Sequence, residues 1–90
     1  YGFAASFMAK PYPDYAGNGL HCHFSLLDGE GRNVFADGSF DGSPLLRQAI
    51  AGCLRAIPDL TLIFAPHANS YDRLVPESHA PTGICWAYEN

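Results

Sequence analysis

The sequence predicts an α+β unit: short strands, a helix pair, then a closing strand. Residues 20–27, Leu-His-Cys-His-Phe-Ser-Leu-Leu, largely alternate apolar and polar side chains, the signature of a strand with one face on a core. Residues 45–57 instead repeat apolar side chains every three or four positions, the signature of a helix with one buried stripe. Stretches rich in proline and glycine separate these runs and mark the connections.

In chain order, Gly2–Met8 is a short apolar run and reads as a strand, and Lys10–Ala16, with two prolines and an aspartate, reads as a loop. Leu20–Leu27 is the second strand. Asp28-Gly29-Glu30-Gly31 is a turn, after which Asn33-Val34-Phe35 is placed to return as the other arm of a hairpin. A polar, glycine-containing loop covers Ala36–Ser43. Ser43 then suits a helix N-cap and Pro44 the first helical turn, followed by the stripe Leu45, Leu46, Ala49, Ile50, Cys53, Leu54 and Ile57. Pro58 is expected to end that helix, and Asp59 to cap a second, short one through Leu60, Leu62, Ile63 and Phe64. Both helices read as packing elements without chemistry. Residues 67–74 turn polar, Pro76 and Pro81 bracket a stiffened loop, and Thr82–Tyr88 reads as a last strand.

Ninety residues with a net charge of -4 make at most one small domain. The five basic residues, Lys10, Arg32, Arg47, Arg55 and Arg73, are isolated from one another, which excludes a nucleic-acid surface. No apolar run reaches membrane-spanning length. Three cysteines are an odd number without Cys-x-x-Cys spacing. Cys22 and Cys53 fall on apolar faces and are expected to be buried thiols of a reducing, cytoplasmic compartment. Both ends read as core sequence rather than as a polar boundary, so residues 1–90 are expected to be an internal segment, incomplete at both ends, of something larger.

The stretch Gly17–Asp28 carries the chemistry. If extended, it sends His21, His23 and Ser25 to one side, behind a Gly17-Asn18-Gly19 approach where a ligand can reach the backbone. That layout suits a metal or phosphate site. Two imidazoles do not complete a metal site, and surface histidines that bind nothing share the same spacing. A stand-alone metal domain therefore fails on ligand count, and zinc is expected to bind only weakly.

Three segments then occur in order: Phe7-Met8-Ala9-Lys10-Pro11, Gly17-Asn18-Gly19-Leu20-His21-Cys22-His23-Phe24-Ser25-Leu26 and Asn69-Ser70-Tyr71-Asp72-Arg73-Leu74-Val75-Pro76. Together they resemble the catalytic domain of the glutamine synthetase family, over essentially the whole chain. Residues 70–83 resemble the branch that couples glutamate to amines larger than ammonia, the γ-glutamylpolyamine synthetase-like enzymes. The resemblance implies a curved antiparallel sheet with packed helices, and a ring-shaped homo-oligomer whose active sites lie between subunits. It implies that ATP phosphorylates the side-chain carboxylate of glutamate and that an amine displaces the phosphate. Two divalent cations, Mg²⁺ or Mn²⁺, would assist that transfer.

Position by position, the resemblance makes His21 a metal ligand and His23 and Ser25 ATP contacts. It makes Gly17 a backbone contact for glutamate. Arg73 becomes the planar donor that grips a substrate carboxylate or the acyl phosphate. Two departures from the ammonia-using pattern stand out: Ala16 where an asparagine is usual, and His79 where a loop glutamate is usual. A histidine cannot offer the same negative pocket for ammonium. A larger amine is then the expected acceptor, with His79 as its base or as a loop residue without a chemical task. Alternatives are ordinary glutamine synthesis and a non-catalytic relative that keeps the fold as scaffold; retention of His21, His23, Ser25 and Arg73 argues against the latter. The family's other carboxylates and arginines have no match here, so the isolated chain is expected to bind ATP poorly and to catalyse nothing.

Overall fold

The computed structural model describes residues 1–88. They divide into two compact units. One comprises Tyr1–His21 with Asp59–Ile84, the other Cys22–Pro58 with the segment from Cys85 onward. The described residues contain two helices, α1 (Pro44–Phe64) and α2 (Ala68–Arg73), and no strand. The expected α+β sheet is therefore absent. Gly2–Met8, Leu20–Leu27 and Thr82–Tyr88 are irregular, and the hairpin is reduced to one antiparallel bridge between Leu27 and Asn33.

The reason lies in what a strand needs. Alternating side chains mark a surface fit for half-burial, but the backbone groups of a strand must still find a partner. Among the described residues, strand-like backbone pairing occurs only beside the Asp28 turn: the Val34 N–H donates to Leu26 O at 2.9 Å and the Asp28 N–H to Arg32 O at 2.9 Å. A two-stranded pair of that size is marginal by itself. The turn is nevertheless well tied. The Asp28 carboxylate accepts from the Glu30 and Arg32 amides at 2.9 Å each and from Arg32 Nε at 2.8 Å. The backbone N–H of Arg32 above all, then its guanidinium, holds that carboxyl below the usual carboxylate range.

The helix start is as expected. Leu46 N–H donates to Ser43 Oγ at 3.2 Å, and the Ser43 hydroxyl donates in turn to Val34 O at 2.7 Å. Ser43 is buried, so both bonds matter. Ser43→Ala is expected to destabilise the protein by about 1–2 kcal/mol, read as a lower urea midpoint at unchanged slope. An unchanged midpoint would show that α1 does not depend on this cap.

The helix end is not as expected. Pro58 sits inside α1, which runs on for six more residues as one 21-residue helix instead of two. Proline removes one backbone bond and crowds the preceding turn. Here its ring is exposed, and the half-buried positions Leu46, Ile50, Leu54, Ile57 and Thr61 stay in phase across it. Continuity of the stripe outweighs the break.

Burial is slight. Ala65, at 6% exposure, is the only buried apolar residue among those described, while Phe7 is 92% and Leu20 87% exposed. Cys22 and Cys53 are exposed free thiols, as is Cys85, against the expectation of buried ones. With no sheet to cover them, the apolar faces of 20–27 and of α1 stay open. In the unit Cys22–Pro58, the stripe of α1 lines a groove of about 220 Å³ with Phe24, Cys85 and Trp86. No helix of the described residues is long and apolar enough to cross a membrane.

Candidate functional site

The first motif segment, the Gly17–His21 part of the second and the third lie in the unit Tyr1–His21 with Asp59–Ile84. The first segment is tied to the third by one side chain. Asn69 Oδ1 accepts the Lys10 N–H at 2.8 Å, and Asn69 Nδ2 donates to Lys10 O at 2.9 Å. The first is tied to the second by Asn18, whose N–H donates to Ala9 O at 2.8 Å and whose Nδ2 donates to Met8 O at 2.7 Å. The loop between them is braced by Lys10 Nζ donating to Tyr15 O at 2.5 Å.

Arg73, the last residue of α2, closes the arrangement. Its side chain runs over Gly17 and ends at Gly19. A methyl group on Gly17 would lie 2.9 Å from Arg73 Cδ and would collide with the Ala9 carbonyl oxygen. One on Gly19 would lie 2.7 Å from Arg73 Nη2. Close approach of backbone therefore requires glycine at position 17, while at Gly19 the methyl would meet only the movable end of the Arg73 side chain; together the two form the floor on which the guanidinium lies. Among the described residues Arg73 makes no ion pair, so its donors are free for an anion. Position at the C-terminal end of α2 also suits its charge.

His79 follows at the end of a short turn. The Ser78 hydroxyl donates to Arg73 O at 2.6 Å, with Val75 O also 2.5 Å away. On either side of Ser78, Glu77 and His79 adopt left-handed backbone, φ 65° and 57°. That conformation is uncommon for side chains of this size and marks a turn fixed by its surroundings. His79 and Ala16 line the same cleft of about 490 Å³, together with Asp14, Tyr15, Asp72 and Glu77.

Not every expected site residue joins this arrangement. His21 is exposed at the end of the first unit, and His23 and Ser25 are exposed in the other. Among the described residues no group of three His, Cys, Asp or Glu side chains could hold a metal ion. Conversely, the sequence reading gives no role to the side chains of Asn18 and Asn69, and Gly19 enters it only as part of an open approach to the backbone. An asparagine amide can bond backbone groups in both directions, but this holds for every asparagine and does not single out these two.

The family model described as "Glutamine synthetase, catalytic domain" matches residues 1–90. The chain belongs to the glutamine synthetase catalytic-domain family. The hydrogen bonds of Asn18 and Asn69 join parts of the three segments that carry the resemblance. γ-Glutamylputrescine synthetase of Escherichia coli is 41% identical over 86 residues, covering 96% of this chain and 18% of that protein. γ-Glutamylethanolamide synthetase of Streptomyces coelicolor is 44% identical over 89 residues, covering 99% and 19%. A glutamine synthetase of Halobacterium salinarum is 43% identical over 88 residues, covering 96% and 19%. The chain therefore spans less than a fifth of the length of these relatives. Identity is nearly equal for relatives named for larger amines and for those named for glutamine, so it does not choose between them. No solved structure matches the chain.

Proposed function

We propose that the chain is a segment of an ATP-dependent ligase that joins the γ-carboxylate of glutamate to an amine larger than ammonia, through a γ-glutamyl phosphate. One observation carries the choice of amine. Ala16 and His79, the two departures from the ammonia-using pattern, line one cleft in the same unit as Arg73. Both changes remove a group suited to a small polar site, and both act on a single space. Two relatives are named for putrescine and for ethanolamide, so larger amines occur as substrates among proteins similar to this chain.

In this reading Arg73 holds a substrate carboxylate or the acyl phosphate with two parallel donors, and Gly17 offers its backbone to glutamate. His79 takes the proton of the incoming amine, since an ammonium cannot attack until it loses one. The described residues do not by themselves make a cation site; Mg²⁺ or Mn²⁺, when bound, would offset the charge of the nucleotide and the transferring phosphoryl group. His21 supplies one imidazole to a site completed by carboxylates outside these 90 residues, and His23 and Ser25 contact the nucleotide. The complete protein is a cytoplasmic ring-type homo-oligomer in this reading, which would cover the exposed apolar faces; the segment alone is inactive.

The test is ADP release by the complete protein with glutamate and Mg²⁺, comparing ammonium with putrescine, spermidine and ethanolamine. The expected result is a kcat/KM about tenfold or more higher for a larger amine than for ammonium. His79→Glu should shift the ratio back toward ammonium. A native preference for ammonium would make this an ordinary glutamine synthetase. Absence of turnover with every amine would favour the scaffold reading.

A further inference from the structure

We propose that Asn69 is a positioning residue for Arg73, acting at a distance through the backbone of Met8–Lys10. The inference rests on the reading of Arg73 as the holder of a substrate carboxylate. Arg73 lies over Gly17 and Gly19, and no ion pair among the described residues fixes it. Its guanidinium is placed by the floor beneath it. That floor is held by Asn18, which bonds Met8 O and Ala9 O at 2.7 and 2.8 Å. Met8–Lys10 is in turn held to α2 by the two bonds between the Asn69 amide and the Lys10 backbone.

The path is a closed circuit. It leaves α2 at Asn69, passes through Lys10, Ala9 and Asn18 to Gly17 and Gly19, and returns to α2 at Arg73. Among the described residues no other hydrogen bond joins residues 8–19 to α2. The two ends of the Asn69 tether are 59 residues apart in the chain, so local connectivity cannot replace it. Only a side chain that accepts and donates at once can satisfy both the N–H and the C=O of Lys10, which is the amide's particular capacity. Loss of the tether frees the floor to shift away from the guanidinium while the helix that bears Arg73 stays intact. A bidentate contact is sensitive to small misplacement, so the effect falls on glutamate binding.

The experiment uses the complete protein and three variants. Asn69→Ala removes both bonds to Lys10 and the longer one from Asn69 Nδ2 to Asp72 Oδ2 at 3.3 Å; Asn69→Asp keeps the shape and the acceptor, loses the donor and faces the Asp72 carboxylate; Arg73→Gln is the benchmark. The expected result is a glutamate KM raised roughly tenfold by Asn69→Ala, with the ATP KM changed less than about twofold. Asn69→Asp should show a glutamate KM that falls toward the native value as pH drops, because the protonated acid can again donate to Lys10 O. The Asn69→Ala profile should lack that limb. Should Asn69→Ala fail to fold, the near-isosteric Asn69→Asp with its pH limb decides. A native glutamate KM in the Asn69 variants, beside a raised one in Arg73→Gln, would overturn the positioning role alone. A native glutamate KM in Arg73→Gln would overturn the functional reading on which it rests.

Discussion

Gly17→Ala is expected to lower kcat/KM of the complete protein by about 100-fold or more, equivalent to roughly 3 kcal/mol. The new methyl group would meet a backbone carbonyl, that of Ala9, and not the yielding end of a side chain. That carbonyl cannot simply retreat, because it accepts the Asn18 N–H at 2.8 Å. Arg73 Cδ closes the other side at 2.9 Å. Either the Asn18 bond breaks or the arginine lifts, and both outcomes displace the guanidinium. Gly29→Ala provides the control, since no atom lies within 4 Å of its would-be methyl and its backbone is not left-handed. It should match the native enzyme in steady-state kinetics and thermal midpoint. Native kinetics in Gly17→Ala would show that Arg73 does not use this floor when it works.

How far the sequence revealed this site depends on which interactions were local. The Ser43-Pro44 start of α1 was readable because a cap involves residues three apart. The Asp28 turn was readable for the same reason. Extended segments were misjudged because alternation states what a strand would bury and says nothing about who pairs with it. Leu20, Phe24 and Leu26 keep the pattern and stay exposed. The Pro58 break was over-weighted: a local rule met a stripe that continues past it. The motif residues gave the family, while the approach of the Arg73 side chain to Gly17 is a contact the motifs do not state. The Asn69–Lys10 tether could not be read from composition or spacing, because it joins positions 59 residues apart through a side chain with no local signature. The exposure of Cys22 and Cys53 follows from the same missing partner surface that left the strands unpaired.

Arg73→Lys is expected to lower kcat/KM by about 30- to 100-fold although the charge is kept, because a lysine offers one compact head where two parallel donors are needed. Most of the loss should appear as a raised glutamate KM if the arginine grips the substrate carboxylate, and as a lowered kcat if it grips only the acyl phosphate. Arg73→Ala should cost more, about 1000-fold, since the charge goes as well. It also strips the aliphatic stem from above Gly17 and leaves open the place beside Gly19 that the guanidinium fills. Free guanidinium ion added to Arg73→Ala should therefore restore part of the lost rate in a saturable way. Arg73→Lys, whose side chain still occupies the stem's path, should respond far less. This contrast separates a fork held at a defined spot from a diffuse positive charge. Equal activity of the lysine variant and the native enzyme would assign Arg73 to general electrostatics and leave the glycine floor without a function.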